Sequence, residues 1–418
     1  MNAFRNLAPL AWSFLFLWTS VQAKELPRAK PEEVGMSAAK LAKVDEVMLD
    51  FVAKKKLAGA IVAVARHGKV VHFGTYGKMD LERDKEMTED AIFRIYSMSK
   101  AITTAAALML LEEGKYSLDD PVSKYIPEFK ELTVWENGES KPAESVMTVK
   151  QLMLHTSGLS YGFVGNGHVE QEYKKRKPLD HQGSLQGMTK TLSEIPLAFE
   201  PGSKWQYSVS IDVLGRLIEI WSGKSFETFL SERVFKPLDM KDTAFFVPKN
   251  KADRFTTNYS PAGPGKLRPI DHPARSRYLV KPSLASGGGG LVSTTRDYLR
   301  FLQMTLNGGE LHGVRLLKKK TVRLMTRNQL PKKLMPIQIG QPPRKGVGFS
   351  LGFSVRVGMS EWDPSGKVGE FGWGGAASTH YWVSPKDDLV VVTMEQVMPY
   401  SFMTEWGVKK LIYDAVEK

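Results

Sequence analysis

FRIYSMSKAITTAAALMLLEEG, residues 93–114, sets a serine three positions before a lysine at the head of a long apolar run. The pair is Ser97 and Lys100, and from Ser97 through Leu111 Lys100 is the only charged side chain. A helix that is apolar all round is a buried helix. A lysine in its first turn opposes the helix dipole, and an ammonium buried without a partner is strongly unfavourable. A sequence that accepts both penalties has a use for the lysine. Residues three apart on a helix share a face, so Lys100 is expected beside the Ser97 hydroxyl, where it can hold or pass a proton. The positive end of the same helix favours a developing oxyanion.

Two other patterns compete with this one. Ser37-Ala-Ala-Lys40 repeats the Ser-x-x-Lys spacing, but it reads as the capped start of an amphipathic helix with its lysine in solvent. Ser160 sits inside Gly158-Leu-Ser-Tyr-Gly162. A nucleophile elbow of that form needs a strand before it and a helix after it. Here the helical pattern TVKQLMLHTSG, residues 148–158, precedes it and a glycine-rich loop follows. Ser160 therefore reads as a structural turn residue. His155 and His380 read as hydrogen-bonded structural residues rather than bases.

The chain has 418 residues, with 42% hydrophobic and 25% charged side chains, an ordinary globular composition. It holds no cysteine, which excludes disulfides and thiolate zinc sites. Arg5, the apolar LAPLAWSFLFLW and the small-residue end VQA mark residues 1–23 as a signal peptide cleaved after Ala23. The expected location is the bacterial periplasm or the outside medium, with no stable membrane insertion after cleavage. The net charge is +13, and Arg5 is the only charge in the leader, so the mature chain stays basic. Basic runs at Lys54, Lys174 and Lys318 are scattered and lack interleaved aromatics. They read as solvated faces, not a nucleic-acid surface; attraction to anionic substrates or surfaces remains open.

MSAAKLAKVDEVMLDFVAKKKLAG, residues 36–59, reads as a helix capped by Ser37 and ended by Gly59. Its apolar stripe is Leu41, Val44, Met48, Phe51 and Val52. AIVAVARHG and KVVHFGTYG follow as a hairpin turning at His67-Gly68. Near the other end, STHYWVSP and DLVVVTMEQV form a second hairpin, and TEWGVKKLIYDAVEK is a closing helix. The fold expected is α/β: an antiparallel sheet built from both chain ends, flanked by the terminal helices. Residues 24–418 form one domain, with 24–96 and 287–418 as the α/β body and 97–286 as a mainly helical inserted region. SIDVLGRLIEIWSG is a clear helix within it. SGGGGL, residues 286–291, lacks the ending of a phosphate loop and reads as a tight turn. Long loops over residues 161–183 and 261–282 are of the kind that shape binding sites.

Taken together, FRIYSMSKAITTAAALMLLEEGKYSLDDPVSKYIPEF, MTVKQLMLHTSGL, FEPGSKWQYSVSIDVLGRLIEIWSGKSF and FGWGGAASTHYWVSPKDDLVVVTMEQ resemble the β-lactamase-related serine hydrolases. That group holds class C β-lactamases, DD-peptidases and family VIII carboxylesterases. The resemblance implies a β-lactamase/transpeptidase-like fold and three boxes. The first is Ser97-x-x-Lys100. The second, usually Tyr-x-Asn, reads Tyr207-Ser208-Val209; the third, usually Lys-Thr-Gly, reads Trp373-Gly374-Gly375. A tryptophan cannot pair with a drug's carboxylate, and a Trp-containing third box marks the family VIII esterases.

The resemblance thus implies a carboxylic ester as the small-molecule substrate, with Ser97 as nucleophile and Lys100 and Tyr207 as the proton-transfer pair. It implies backbone N–H groups of Ser97 and Ala376 as the oxyanion hole, and neither metal nor organic cofactor. Trp373, Tyr161 and Phe163 are expected to line an apolar acyl pocket, with Gly374 and Gly375 letting the strand approach the substrate. A β-lactamase or peptidoglycan DD-peptidase is the nearest alternative. A noncatalytic binding protein on this fold, or an α/β-hydrolase using Ser160, stands further off.

Overall fold

Gly59–Arg66 (β1) carries an unbroken apolar run, and every side chain from Ala60 to Ala65 is shut off from solvent. A strand buried on both faces needs a layer on each side, and the rest of the chain supplies them. The structure, a computed structural model, describes residues 25–340 and 342–417. The signal peptide read from the sequence lies outside them.

Seven further strands complete the sheet. They are Lys69–Asp80 (β2), Lys85–Glu86 (β3), Val347–Phe349 (β4), Ser354–Arg356 (β5), Phe371–Gly374 (β6), His380–Ser384 (β7) and Leu389–Glu395 (β8). Their order is β4-β5-β6-β7-β8-β1-β2-β3, and every neighbouring pair is antiparallel. The two chain ends meet inside it, because β1 pairs with β8 from Ala60↔Glu395 to Arg66↔Leu389. The first hairpin turns at His67 (φ 50°) and Gly68 (φ 72°), the left-handed pair a two-residue turn requires.

The two-residue period of β1 and β8 sorts the layers. Ala60, Val62 and Val64, with Leu389 and Val391, pack beneath Lys43–Ala53 (α1) and the closing helix Met403–Ala415 (α5). Ile61, Ala63 and Ala65, with Val390 and Val392, face the larger core. That core contains Ser99–Glu112 (α2), Ser210–Ser222 (α3) and Thr295–Leu306 (α4). α2 is buried from Ser99 to Leu110, as its sequence requires, and packs on α3.

Three expectations need correction. Ser37 caps only a single turn, Ala38–Leu41, and the helix proper stops at Ala53, not at Gly59. The lysines of residues 54–56 are exposed, and Lys55 turns left-handed at φ 52°. Gly59 instead opens β1, where a Cβ would lie 2.6 Å from the Tyr76 carbonyl oxygen of β2. The third correction concerns the inserted region, which is helical with two small strand pairs. These are Thr133–Glu136 with Glu139–Pro142, and Asn258–Pro261 with Leu267–Asp271. Among the described residues no helix is long and apolar enough to cross a membrane.

One polar group stands out in this core. Glu395 of β8 is buried, its Oε2 accepts a 2.5 Å hydrogen bond from Thr404 Oγ1, and burial pushes its carboxyl up from 4.5 to about 8. A folded-state pKa above the unfolded one gives stability that is complete below pH 4.5 and is lost as pH rises through 8. Glu395→Gln should therefore raise the melting temperature at pH 9 by about 2 °C or more relative to its effect at pH 4. A shift that is the same at both pH values would show that the carboxyl is ionised in the folded protein.

Candidate active site

Ser97 lies on a tight turn, Tyr96–Met98, between the short strand Ile92–Arg94 and α2. Tyr96 takes a left-handed φ of 40°, which a bulky residue holds only when its surroundings enforce it. The enforcement is visible on all sides. Tyr298 of α4 donates its hydroxyl to the Met98 carbonyl at 2.8 Å. Leu291 N donates to Ser99 Oγ at 3.1 Å. Arg94, fully buried, donates Nε to Asp271 at 2.6 Å and Nη1 to the Thr256 carbonyl at 2.7 Å.

Lys100 is buried at 3% exposure. Its Nζ donates to the Gly288 carbonyl at 2.6 Å and to Ser97 Oγ at 3.3 Å. It also stands 4.5 Å from the ring centroid of Tyr207 and 5.4 Å from that of Tyr161, both cation–π distances. Tyr207 donates its hydroxyl to Ser97 Oγ at 2.6 Å, and Trp373 directs its indole N–H at the Tyr207 oxygen from 3.5 Å. Lys100, three residues on, and Tyr207, 110 residues on, thus converge on the Ser97 oxygen. This arrangement can move a proton off a hydroxyl and return it.

Two contributors escaped the sequence reading. Asp212, in the first turn of α3, is fully buried. Its Oδ1 accepts from Ser286 Oγ at 2.5 Å and from Gly288 N at 3.0 Å, and its Oδ2 from Tyr161 OH at 3.4 Å. Burial pushes its carboxyl up, and the charge of Lys100 opposes that shift. The SGGGGL segment is a turn, as expected, but also a working wall of the site: Gly288 offers its N–H to Asp212 and its carbonyl to Lys100. A Cβ at Gly288 would lie 2.4 Å from Asp212 Oδ2. An acid on the apolar face of SIDVLGRLIEIW was the available signal for Asp212; Gly288 left none beyond its glycine run.

Ser97 opens into a cleft of about 310 Å³, whose walls include Tyr161, Phe163, Leu284, Gly288 and Ala376. Tyr161 and Phe163 stand in its wall, their rings stacked at 4.7 Å. Trp373 does not: it stands behind Tyr207, rings 5.6 Å apart, and buttresses that phenol. Gly374 and Gly375 also make room for protein, not substrate. A Cβ on Gly374 would meet Tyr400 OH at 2.7 Å, and one on Gly375 would meet the Ile95 carbonyl at 2.4 Å. The end of β6 is thereby pressed against the backbone two residues before Ser97.

Ser160 is buried, donating Oγ to Glu170 Oε1 at 2.7 Å and accepting from Gln206 Nε2 at 2.8 Å. The segment before it is the helix Val149–Met153, so the strand an elbow needs is not there. His155 bonds Ser208 Oγ at 3.1 Å and packs on Tyr207, and burial holds its pKa far below the ordinary value. His380 departs from expectation. Its ring lies among Tyr400 and Phe402, and neither nitrogen meets a well-formed hydrogen bond among the described residues. Burial drives its pKa down to about 3, so the aromatic setting is matched by a neutral ring.

A family profile described as Beta-lactamase matches residues 44–408. Protein Rv1367c of Mycobacterium tuberculosis is 33% identical over 353 residues, covering 82% of this chain and 86% of its own. Esterase EstB of Burkholderia gladioli is 32% identical over 290 residues, covering 65% of this chain and 72% of its own. Among solved structures, EstCE1, described as a hydrolase with promiscuous acyltransferase activity, superposes with a TM-score of 0.78 at 26% identity, covering 90% of this chain and 99% of its own.

Asp212→Ala strips one acceptor from three donors at once, the Ser286 hydroxyl, Gly288 N–H and Tyr161 hydroxyl. Leaving such groups unpaired costs about 1–3 kcal/mol each. Denaturant unfolding should therefore show a loss of at least ~2 kcal/mol, against less than half of that for Ser286→Ala. Equal losses from the two variants would mean that Asp212 does not organise the turn.

Proposed function

This chain belongs to the β-lactamase family, and from that premise we propose that it is a serine carboxylesterase working through an acyl-enzyme on Ser97. The observation that carries the reading is the pair of contacts on one oxygen at the head of a cleft: Tyr207 OH at 2.6 Å and Lys100 Nζ at 3.3 Å from Ser97 Oγ. Esterase EstB and the hydrolase EstCE1 support ester cleavage as the reaction.

In the proposed cycle the Tyr207–Lys100 pair takes the Ser97 proton along the 2.6 Å contact to the Tyr207 oxygen. Ser97 Oγ attacks the ester carbonyl carbon. The tetrahedral oxyanion accepts hydrogen bonds from the backbone N–H groups of Ser97 and Ala376, worth about 3–4 kcal/mol per donor in comparable sites. The intermediate collapses, the alkoxide leaves with the proton from Tyr207, and the acyl group stays on Ser97. A water molecule then repeats the sequence, giving its proton to Tyr207 and its oxygen to the acyl carbon. Tyr207 returns the proton to Ser97. The hydrogen bond from Lys100 Nζ to the Gly288 carbonyl fixes the second member of the pair beside Ser97.

Esters are favoured over β-lactams because the third-box position carries Trp373, whose indole N–H is directed at Tyr207 and which brings no positive charge of its own for a drug's carboxylate. The leader-like residues 1–23 support export to the bacterial periplasm or beyond, where the substrate would be a small ester.

Purified chain beginning at Lys24 should hydrolyse a short-chain p-nitrophenyl ester faster than nitrocefin. Ser97→Ala should reduce kcat/KM by ~10³-fold or more, and Tyr207→Phe by ~10²–10⁴-fold. Ser160→Ala should keep kcat within a few-fold while losing ~1–3 kcal/mol of stability, because buried Glu170 and half-buried Gln206 lose their shared partner. Activity that survives Ser97→Ala and disappears with Ser160→Ala would overturn both mechanism and site. Export is tested separately: fractionated bacteria should hold the protein outside the cytoplasm with Lys24 as its first residue, and a cytoplasmic chain starting at Met1 would rule it out.

A further inference from the structure

The walls of the Ser97 cleft are apolar, with Leu179, Phe245 and Leu284 among them. Its mouth adds Phe163 and Val280, which are 70% and 69% exposed, an unusual position for such side chains. Among the described lining residues there is no carboxylate, and Arg277 is the one permanently charged group.

Arg277 is placed with some definition. Its guanidinium lies 5.3 Å from the ring centroid of Tyr278. Tyr278 in turn meets Tyr96 edge-on at 6.3 Å and 87°, and Tyr96 immediately precedes Ser97. The cation therefore stands two aromatic rings away from the nucleophile, along the same wall. The acid that shares its field, Asp271, is already taken: Arg94 Nε and Ser276 Oγ hold its Oδ2 at 2.6 and 3.0 Å. None of the ion pairs formed among the described residues includes Arg277. An exposed guanidinium held over an aromatic face, beside an apolar cleft and paired with no carboxylate among the described residues, is suited to binding an anion.

We infer that the cleft selects amphipathic esters bearing a second, anionic group, a carboxylate on an apolar body, with Arg277 binding that carboxylate. The inference rests on the esterase reading above. The apolar body fills the walls while the carboxylate reaches the mouth, two ring-widths from the scissile bond. The chain's net charge of +13 adds long-range attraction for the same substrates.

The test uses p-nitrophenyl esters of a medium-length dicarboxylic acid, one end free, against the same esters with that end capped as the neutral methyl ester. A second series places the free or capped carboxyl on the alcohol side. In one of the two series wild type should favour the anionic ester, and Arg277→Gln should raise its KM about tenfold, equivalent to ~1.4 kcal/mol. The capped ester should stay within about twofold, kcat should hold, and Arg277→Lys should recover part of the loss. Raising salt from 20 to 500 mM should shrink the preference. Equal KM effects on free and capped esters in both series, or a wild-type preference for the capped esters in both, would overturn the inference. Ser97-dependent hydrolysis of the capped ester would still leave the esterase reading standing; its absence in wild type would remove that reading first.

Discussion

The site depends on how a buried ammonium is held. Among the described residues Lys100 reaches no carboxylate at hydrogen-bonding distance; its Nζ is met by the Gly288 carbonyl at 2.6 Å, a serine oxygen and two phenol faces. A carboxylate at that place would form a closed ion pair and leave the charge little influence on Ser97. A carbonyl dipole compensates for desolvation without neutralising the charge. The carbonyl must then be fixed, and Asp212 fixes it through the N–H of the same residue. Asp212 sits on α3, five residues after Tyr207, so one helix start both delivers the phenol and locks the turn that holds its neighbouring cation.

The sheet serves this arrangement from the other side. β6 ends against the nucleophile turn because Gly375 has no side chain to hold it off the Ile95 carbonyl. Trp373, one pleat earlier, reaches Tyr207 from behind. α4 contributes the hydroxyl of Tyr298 to the Met98 carbonyl. Ser97 therefore sits where the end of β6, the start of α2 and the side of α4 meet, which explains how Tyr96 can be kept at φ 40°.

Much of this was readable from the chain. A lone lysine in an apolar helix is a local signal, and three-residue spacing places it beside Ser97 with no knowledge of the fold. The hairpins at both ends were equally plain, since alternation and the His67-Gly68 turn are short-range features. Other parts depend on contacts between distant segments. Gly59 looked like a helix stop because glycine serves both ends and strands, and the clash with β2 that demands it is invisible in sequence. Trp373 could be placed on the third-box strand, yet whether its ring walls the cleft or props Tyr207 is decided by packing. Asp212 and Gly288 belong to the same class: each matters through a partner 76 positions away. The strand pair Asn258–Pro261 with Leu267–Asp271 sat in a stretch whose prolines and glycines argued for loop.

The pairing of β1 with β8 has a consequence for the life of the chain before it folds. Ala60 finds its partner in Glu395, on the last strand of the sheet to be made. At roughly 5–20 residues per second, a growing chain waits about 20–70 s between the two. Through that interval β1, buried on both faces in the finished fold, has only β2 beside it. No stable body can form around half a sheet whose centre is missing, so the nascent protein stays open until its end is released. A chain that is open until completion can be threaded through a narrow translocation pore, and it also needs escort against aggregation on the way.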